Sequence, residues 1–98
     1  MEVEFEDPEL ERLEIDRRYD GGYSQVVVTA FRMRMQFIRG SEDERGFSAW
    51  RALRFEKLKG DRADQYSIRI KDQWRLILKF RKEPTGKIVV VISITDYH

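Results

Sequence analysis

The stretch YSIRIKDQWRLILKF, residues 66–80, decides the fold class of this chain. Apolar and polar side chains alternate on both sides of Asp72-Gln73, a pattern typical of two half-buried strands joined by a short hairpin turn. Outward from this hairpin, the same period of two predicts strands near residues 2–6, 53–58, 65–71, 74–82 and 87–95. The last of these is strongly apolar, which indicates the centre of a sheet.

The first half of the chain carries helical signals. Asp7-Pro8 combines an N-cap with a proline at the first helical position, and predicts a helix over 8–19 that ends before two glycines. Ser24 can cap a second helix over 24–39, although its β-branched residues 26–29 would also suit a strand. The acidic run 41–44 opens either a short third helix or an irregular turn.

These elements predict an α+β fold in a single domain, residues 1–98. The expected order is β-α-α-β-β-β-β, with two N-terminal helices packed on one face of a curved, mainly antiparallel sheet. The core is expected to draw on both layers, through Val27, Phe31, Ile68, Trp74, Leu76, Leu78, Val89 and Val91.

Composition narrows the classes of function. The 98 residues lack cysteine, which excludes a disulfide scaffold, a thiolate nucleophile and cysteine-based metal sites. Residues 1–22 hold nine acids and three bases, whereas residues 23–98 hold nine acids and sixteen bases, so a net charge of +1 hides two opposite surfaces. The acidic start and the lack of an apolar run of ~20 residues predict a cytoplasmic protein without a membrane span.

The strand pattern also predicts a basic face. Opposite the core positions, the alternation places a set of cations: Arg69, Lys71, Arg75, Lys79 and Arg81, together with Lys57 or Lys59. Arginine on a rigid strand can hold phosphate oxygens through two parallel hydrogen bonds. The alternative is a solvated sheet face whose charges discourage aggregation.

The chain ends on Asp96-Tyr97-His98, and His98 is its one histidine. Imidazole is the side chain best suited to move protons near neutral pH. A neighbouring phenol can stack on a nucleobase or donate a hydrogen bond. The alternative is a frayed polar tail, since chain ends are commonly disordered.

Four stretches together resemble one known family: FEKLKGDR (55–62), QYSIRI (65–70), DQWR (72–75) and DYH (96–98). They are similar to the HigB toxins, also called plasmid maintenance system killer proteins, of the RelE/ParE superfamily. The resemblance implies the microbial-ribonuclease-like fold of that superfamily. It also implies a type II toxin that cuts mRNA in the ribosomal A site and is neutralised by a helix-turn-helix antitoxin of the HigA type.

Carried over residue by residue, the resemblance implies a catalytic set of Lys59, Arg75, Asp96, Tyr97 and His98. The basic face adds candidates for RNA binding, namely Lys57, Arg69, Lys71 and Lys79. The implied reaction is attack by the RNA's own 2′-hydroxyl, which needs neither a metal nor a cofactor. Some HigB members carry a histidine three residues before the lysine of their Leu-Lys-Gly motif, where this chain has Glu56. The acid and base therefore stay unassigned among Asp96, His98 and Glu56.

Two other functions fit parts of the sequence. ParE relatives share the fold and are thought to inhibit DNA gyrase by binding, a role for which Asp96-Tyr97-His98 would be unnecessary. A degenerate toxin would only bind its antitoxin. The presence of the three C-terminal residues favours the ribonuclease.

Overall fold

The computed structural model describes residues 1–97, which form a layer of helices and a five-stranded sheet. The elements are β1 (Glu2–Phe5), α1 (Pro8–Ile15), α2 (Gln25–Gly40), α3 (Arg45–Ala49), β2 (Glu56–Lys57), β3 (Gln65–Lys71), β4 (Trp74–Glu83) and β5 (Gly86–Asp96). Two 3₁₀ turns, Arg51–Leu53 and Gly60–Arg62, flank β2. The α+β class and the order of strands are confirmed, and the acidic run leads into a short third helix.

The sheet is mixed, with strand order β1-β5-β4-β3-β2. β1 runs parallel to β5, and the other neighbours are antiparallel. The middle strand is β4 rather than the apolar β5, which lies between β4 and β1. β3 and β4 form the predicted hairpin, with Ile68 opposite Leu76 and a positive φ of 51° at Asp72 in the turn.

Two irregularities interrupt the ladder. The β4–β5 register shifts where Ile77 faces Ser93 and Leu78 faces Val91, which leaves Ile92 as an extra residue in β5. A second shift falls between Arg69 and Lys71 in β3. Bulges of this kind bend a strand and change the direction of the side chains around them.

The core lies between the sheet and the helices. Of the predicted core residues, all but one are buried, and the exception is Trp74, which is half-buried and meets Tyr23 edge to face at 5.9 Å. Met35, Phe47 and Leu53 are also fully buried. α2 supplies most of the helical layer because it has 16 residues, against eight in α1 and five in α3. Ser24 caps it, and its Oγ accepts from the Val27 N–H at 3.3 Å.

α1 ends at Ile15, four residues before the predicted end at 19. Arg32 of α2 binds the chain at this point, and its Nε donates to the Leu13 carbonyl at 2.9 Å. Its Nη2 donates to the carbonyls of Asp16 and Tyr19 at 2.9 and 3.1 Å. These bonds satisfy one carbonyl in the last turn of α1 and two carbonyls in the segment that follows it.

β2 is also shorter than predicted, Glu56–Lys57 instead of 53–58. Leu53 ends a 3₁₀ turn, and Arg54 adopts a left-handed conformation with φ 49° and ψ 53°. This turn directs Leu53 into the core, while the Phe55 ring stacks on Tyr66 at 5.0 Å. The alternating Leu53 and Phe55 therefore reflect burial and not an extended strand.

Two methionines on α2 test this packing. Met35 is fully buried and Met33 is 65% exposed on the same helix. We expect Met35→Ala to lower the free energy of unfolding by about 2–5 kcal/mol, because truncating a buried methionine side chain leaves a cavity in the core. Met33→Ala should change it by no more than about 0.5 kcal/mol. Urea denaturation measures both, and equal effects would contradict this arrangement of α2.

Candidate active site

The face of the sheet turned away from the helices, called here the open face, is defined by strand register. Residues directly opposite one another on neighbouring strands point to the same side of a sheet. Arg69, Arg75 and Thr95 form one row across β3, β4 and β5, and Glu56, Ser67, Ile77 and Ser93 form the next. Lys79 and Arg81 follow along β4 on the same face, opposite Val90 and Ile88.

Arg75 is held in place by the turn that precedes it. Its Nη1 donates to the Asp72 carbonyl at 2.7 Å and to the Trp74 carbonyl at 3.3 Å. The backbone N–H of Tyr97 donates to the Gln73 carbonyl of the same turn at 2.8 Å. The turn thus brings Arg75 and Tyr97 together, with the guanidinium carbon 5.9 Å from the centre of the Tyr97 ring. Tyr97 remains 38% exposed, so its ring is accessible beside the cation.

A second arginine stands in the same row. Arg69 lies directly opposite Arg75, and its Nη2 is 3.9 Å from Oδ1 of Asp72. Arg34 of α2 holds the backbone here, its Nε donating to the Arg69 carbonyl at 2.9 Å and its Nη2 to the Ile70 carbonyl at 3.1 Å. Burial and then the neighbouring charge of Arg69 lower the pKa of Arg34. Two arginines on one rigid row can bind the oxygens of a phosphate.

Acidic side chains in β1 and just after it pair with the cations at the other end of the open face. Arg81 donates to both carboxylate oxygens of Glu4, at 2.6 and 2.7 Å, and to Glu83 at 2.9 Å. Lys79 lies 3.1 Å from a carboxylate oxygen of Glu6. The hydrogen bonds from Arg81 hold the pKa of Glu4 below its ordinary value. Positive charge available for a polyanion is therefore concentrated in the row of Arg69 and Arg75.

The open face is less polar than the sequence predicts. Ile77, Val90 and Ile88 lie on it and are buried, as is Ser67. Long cationic side chains such as those of Lys79 and Arg81 can cover apolar surface with their aliphatic stems while the charge stays in water. Apolar side chains are thus interspersed with the cations of the open face.

Two of the candidate RNA-binding lysines do not lie on the open face, which corrects the prediction from alternation. Lys57 is opposite Tyr66, which shares the helix side with Leu78. Lys71 follows the irregularity in β3, is opposite Trp74, and lines a groove beside α2. The register of the two-residue β2 and the bulge decide these positions, and neither is visible in the alternation of single residues.

The remaining candidates are distributed around the end of the sheet. Lys59 is exposed and precedes the 3₁₀ turn Gly60–Arg62, next to the start of β3. The four steps along β3 from Gln65 to Arg69 separate it from the arginine row by roughly 13 Å along the strand. Asp96 is opposite Trp74, one position beyond the row of Arg75 and Thr95, so the register directs it to the side of the sheet that faces the helices. His98 lies outside the described residues.

Two further residues, Glu56 and Arg34, belong to the description of the site. Glu56 is exposed on the open face opposite Ser67, whereas the sequence offered it only as the substitute for a histidine. Arg34, which supports β3 through its hydrogen bonds to the Arg69 and Ile70 carbonyls, was not identified from the sequence. Among residues 1–97, no group of three or more potential ligands forms a metal site.

Comparison with known families decides the assignment. A family model described as the RelE-like toxin of the type II toxin–antitoxin system HigB matches residues 3–98. The chain belongs to this HigB-like family. As a type II toxin it has an antitoxin as its partner. No curated protein matches the HigB-like chain.

A solved structure shows the same fold. The YoeB/ParE toxin from Agrobacterium tumefaciens is 19% identical in sequence to this HigB-like toxin, with a TM-score of 0.63 over 100% of each chain. The RelE/ParE-like fold predicted from the motifs is thereby confirmed. In the described part of the chain, no helix is both long and apolar enough to span a membrane.

The pairing of Glu4 with Arg81 predicts a dependence of stability on pH. The pKa of Glu4 is lower in the folded protein than in the unfolded chain. Its contribution is therefore present at neutral pH and is lost as the pH falls below the ordinary pKa of a glutamate, about 4.5. We expect Glu4→Gln to reduce the fall in thermal midpoint below this pH, more at low salt than at high salt. The control is Glu2→Gln on the same strand, and identical profiles for Glu4→Gln and wild type would contradict the pairing.

Proposed function

We propose that this HigB-like toxin is an endoribonuclease that cuts mRNA in the A site of the ribosome and so stops translation. One observation carries the proposal: Arg75 is fixed by the hairpin turn beside the exposed ring of Tyr97, in one row with Arg69. A fixed cation beside an accessible aromatic ring suits a phosphate and its neighbouring base. The reaction would take place in the cytoplasm, where the ribosome holds the mRNA.

The proposed reaction uses the RNA's own 2′-hydroxyl as the nucleophile. Its oxygen attacks the adjacent phosphorus while the bond to the 5′-oxygen breaks, which leaves a 2′,3′-cyclic phosphate and a free 5′-hydroxyl. Negative charge builds on the phosphate, and a preorganised guanidinium at Arg75 would stabilise it. Lys59 would contribute a second cation from the far end of β3.

Two protons must move in this reaction. A base takes the proton of the 2′-hydroxyl, and an acid supplies one to the leaving 5′-oxygen. His98 and Asp96 are the proposed pair, with Glu56 as the alternative partner because it is exposed on the open face. Tyr97 would stack on the base or orient it. No metal or cofactor is needed for these steps.

The proposed partners follow from the same surface. The row of Arg69 and Arg75 is small and open, so the isolated chain offers few groups to align RNA, and the ribosome would supply that alignment. The antitoxin is proposed to be of the helix-turn-helix HigA type.

Two substitutions separate proton transfer from charge stabilisation. We expect His98→Ala to lower cleavage of ribosome-bound mRNA by roughly 10²- to 10⁴-fold, the range for loss of a general acid or base. Arg75→Ala should also abolish most activity, but its residual rate should keep an inflection near neutral pH, because a histidine titrates there. That inflection should vanish in His98→Ala. The assay uses ribosomes with a codon in the A site.

Folding of both variants is checked by thermal melting, so that a lost fold is not mistaken for lost chemistry. Full activity of His98→Ala would move the proton transfers to Asp96 and Glu56. In cells, mapping mRNA 5′ ends and DNA breaks in parallel tests the reaction class. Breaks in DNA without new mRNA ends would contradict the proposed ribonuclease activity and indicate a gyrase inhibitor instead.

The register of the sheet predicts which cations serve RNA. Arg69 shares the open face with Arg75, whereas Lys57 lies on the helix side. We expect Arg69→Ala to raise the KM for ribosome-bound mRNA several-fold, because it removes a phosphate contact next to the reacting group. Lys57→Ala, which also removes one positive charge, should leave KM nearly unchanged. A larger effect at Lys57 than at Arg69 would contradict binding along the open face.

A further inference from the structure

A groove of about 570 Å³ lies on the helix side of β3, away from the open face. Of the five large hydrophobic side chains exposed within residues 1–97, three line it: Val26 (60% exposed), Met33 (65%) and Trp50 (42%). Its other walls are supplied by Gln25, Thr29, Ala30, Arg34, Ile70 and Lys71. A cluster of exposed apolar side chains of this kind is typical of a surface that binds a partner.

The charge of the groove is one-sided. Arg34 and Lys71 are the charged residues among those that line it, and both are cations. Arg34 is fixed there by its hydrogen bonds to the Arg69 and Ile70 carbonyls and by stacking on Trp50, its guanidinium carbon 4.6 Å from the ring centre. The surface therefore suits a ligand that is apolar along one side and carries carboxylates beside it.

The same contacts favour a helix over a strand as the ligand. β2 pairs only with Tyr66 and Ser67, so the rest of β3 extends beyond it at this edge of the sheet. An added strand would need the backbone groups of that edge. Arg34 already occupies the carbonyls of Arg69 and Ile70. The apolar residues with which α2 lines the groove, the exposed Val26 and Met33 and the half-buried Ala30, have a spacing of four and three residues, which suits packing against a second helix.

Charge also argues against a second copy of this chain as the ligand. A two-fold contact centred on the groove would bring Arg34 and Lys71 against the same two residues of the partner copy. Opposed like charges at an interface disfavour association. A two-fold contact through the groove is therefore disfavoured, whereas a type II toxin has a partner protein by virtue of its family, the antitoxin.

We propose that this groove is the docking site for an amphipathic helix of the antitoxin, whose apolar side chains pack between α2 and Trp50 and whose carboxylates face Lys71 and Arg34. The inference rests on membership of the toxin family and not on the ribonuclease reaction. Since the groove and the row of Arg75 lie on opposite sides of β3, docking there leaves the open face uncovered.

Binding of the purified antitoxin, encoded by the neighbouring reading frame, tests the proposal directly and without an activity assay. We expect Met33→Glu to weaken the affinity of the full-length toxin by roughly ten- to a hundredfold, since it puts a charge in the apolar centre of the contact. Ile15→Glu is the matched control, because Ile15 is 72% exposed on α1 and does not line the groove. It should bind like wild type.

A charge reversal tests the second half of the proposal. Lys71→Glu should slow association and make it less sensitive to salt, whereas Lys82→Glu, an exposed lysine of β4 outside the groove, should leave both unchanged. A photoreactive side chain at position 26 should crosslink to a helical segment of the antitoxin. Thermal melting of each variant confirms that the fold is kept.

Four outcomes would overturn the assignment. If Met33→Glu binds the antitoxin with wild-type affinity, the antitoxin docks elsewhere on the toxin. The same follows if the photoreactive side chain at position 26 does not crosslink to the antitoxin. If the protein encoded by the neighbouring reading frame does not bind the wild-type toxin, it is not the partner that the proposal requires. A free toxin that is dimeric as wild type and monomeric as Met33→Glu would assign the groove to a second copy. A failure of RNA cleavage would leave all these measurements unaffected.

Discussion

The pairing register of the β3–β4 hairpin is the constraint on which core and candidate site both depend. With Ile68 opposite Leu76, the apolar side chains face α2 and the arginines of the next row face outward. A slip by one residue would exchange the two faces and drive guanidinium groups into the core. The turn at Asp72 holds this register, and Arg75 donates back to the Asp72 carbonyl. The contact that orients the candidate catalytic cation is thus part of the turn that sets the register.

Arginines that bind backbone carbonyls recur in this small protein. Arg32 binds the last turn of α1, Arg34 holds β3 beside its irregularity, and Arg75 reaches back to the hairpin turn. A charged donor satisfies carbonyls that regular helix or ladder bonds leave over. Several of the cations counted in the sequence therefore support the fold. Arg34 also separates two surfaces, since it lies in the groove and holds the backbone of Arg69, whose row lies on the open face.

The opposite charges of the two parts of the chain meet on the sheet. The acidic residues 1–22 were predicted to form a surface of opposite charge to that of residues 23–98. Because β1 joins the sheet parallel to β5, Glu4 and Glu6 reach Arg81 and Lys79 across it. Exposed pairs of this kind add little to stability, but they remove two cations from the charge available to a polyanion. What remains is concentrated at the row of Arg69 and Arg75.

Local pattern determined the fold class, the strands around the hairpin, the caps of α1 and α2 and most of the core, because alternation and capping depend on residues close together in the chain. The motifs also identified the family and its candidate residues. Only tertiary structure decided which carbonyls Arg32 binds at the end of α1, which lysines leave the open face and which cations are paired. These outcomes depend on partners far apart in sequence, with Arg32 and Leu13 separated by 19 residues and Arg81 and Glu4 by 77. Such contacts exist only after the sheet has assembled, so no local window of the sequence contains them.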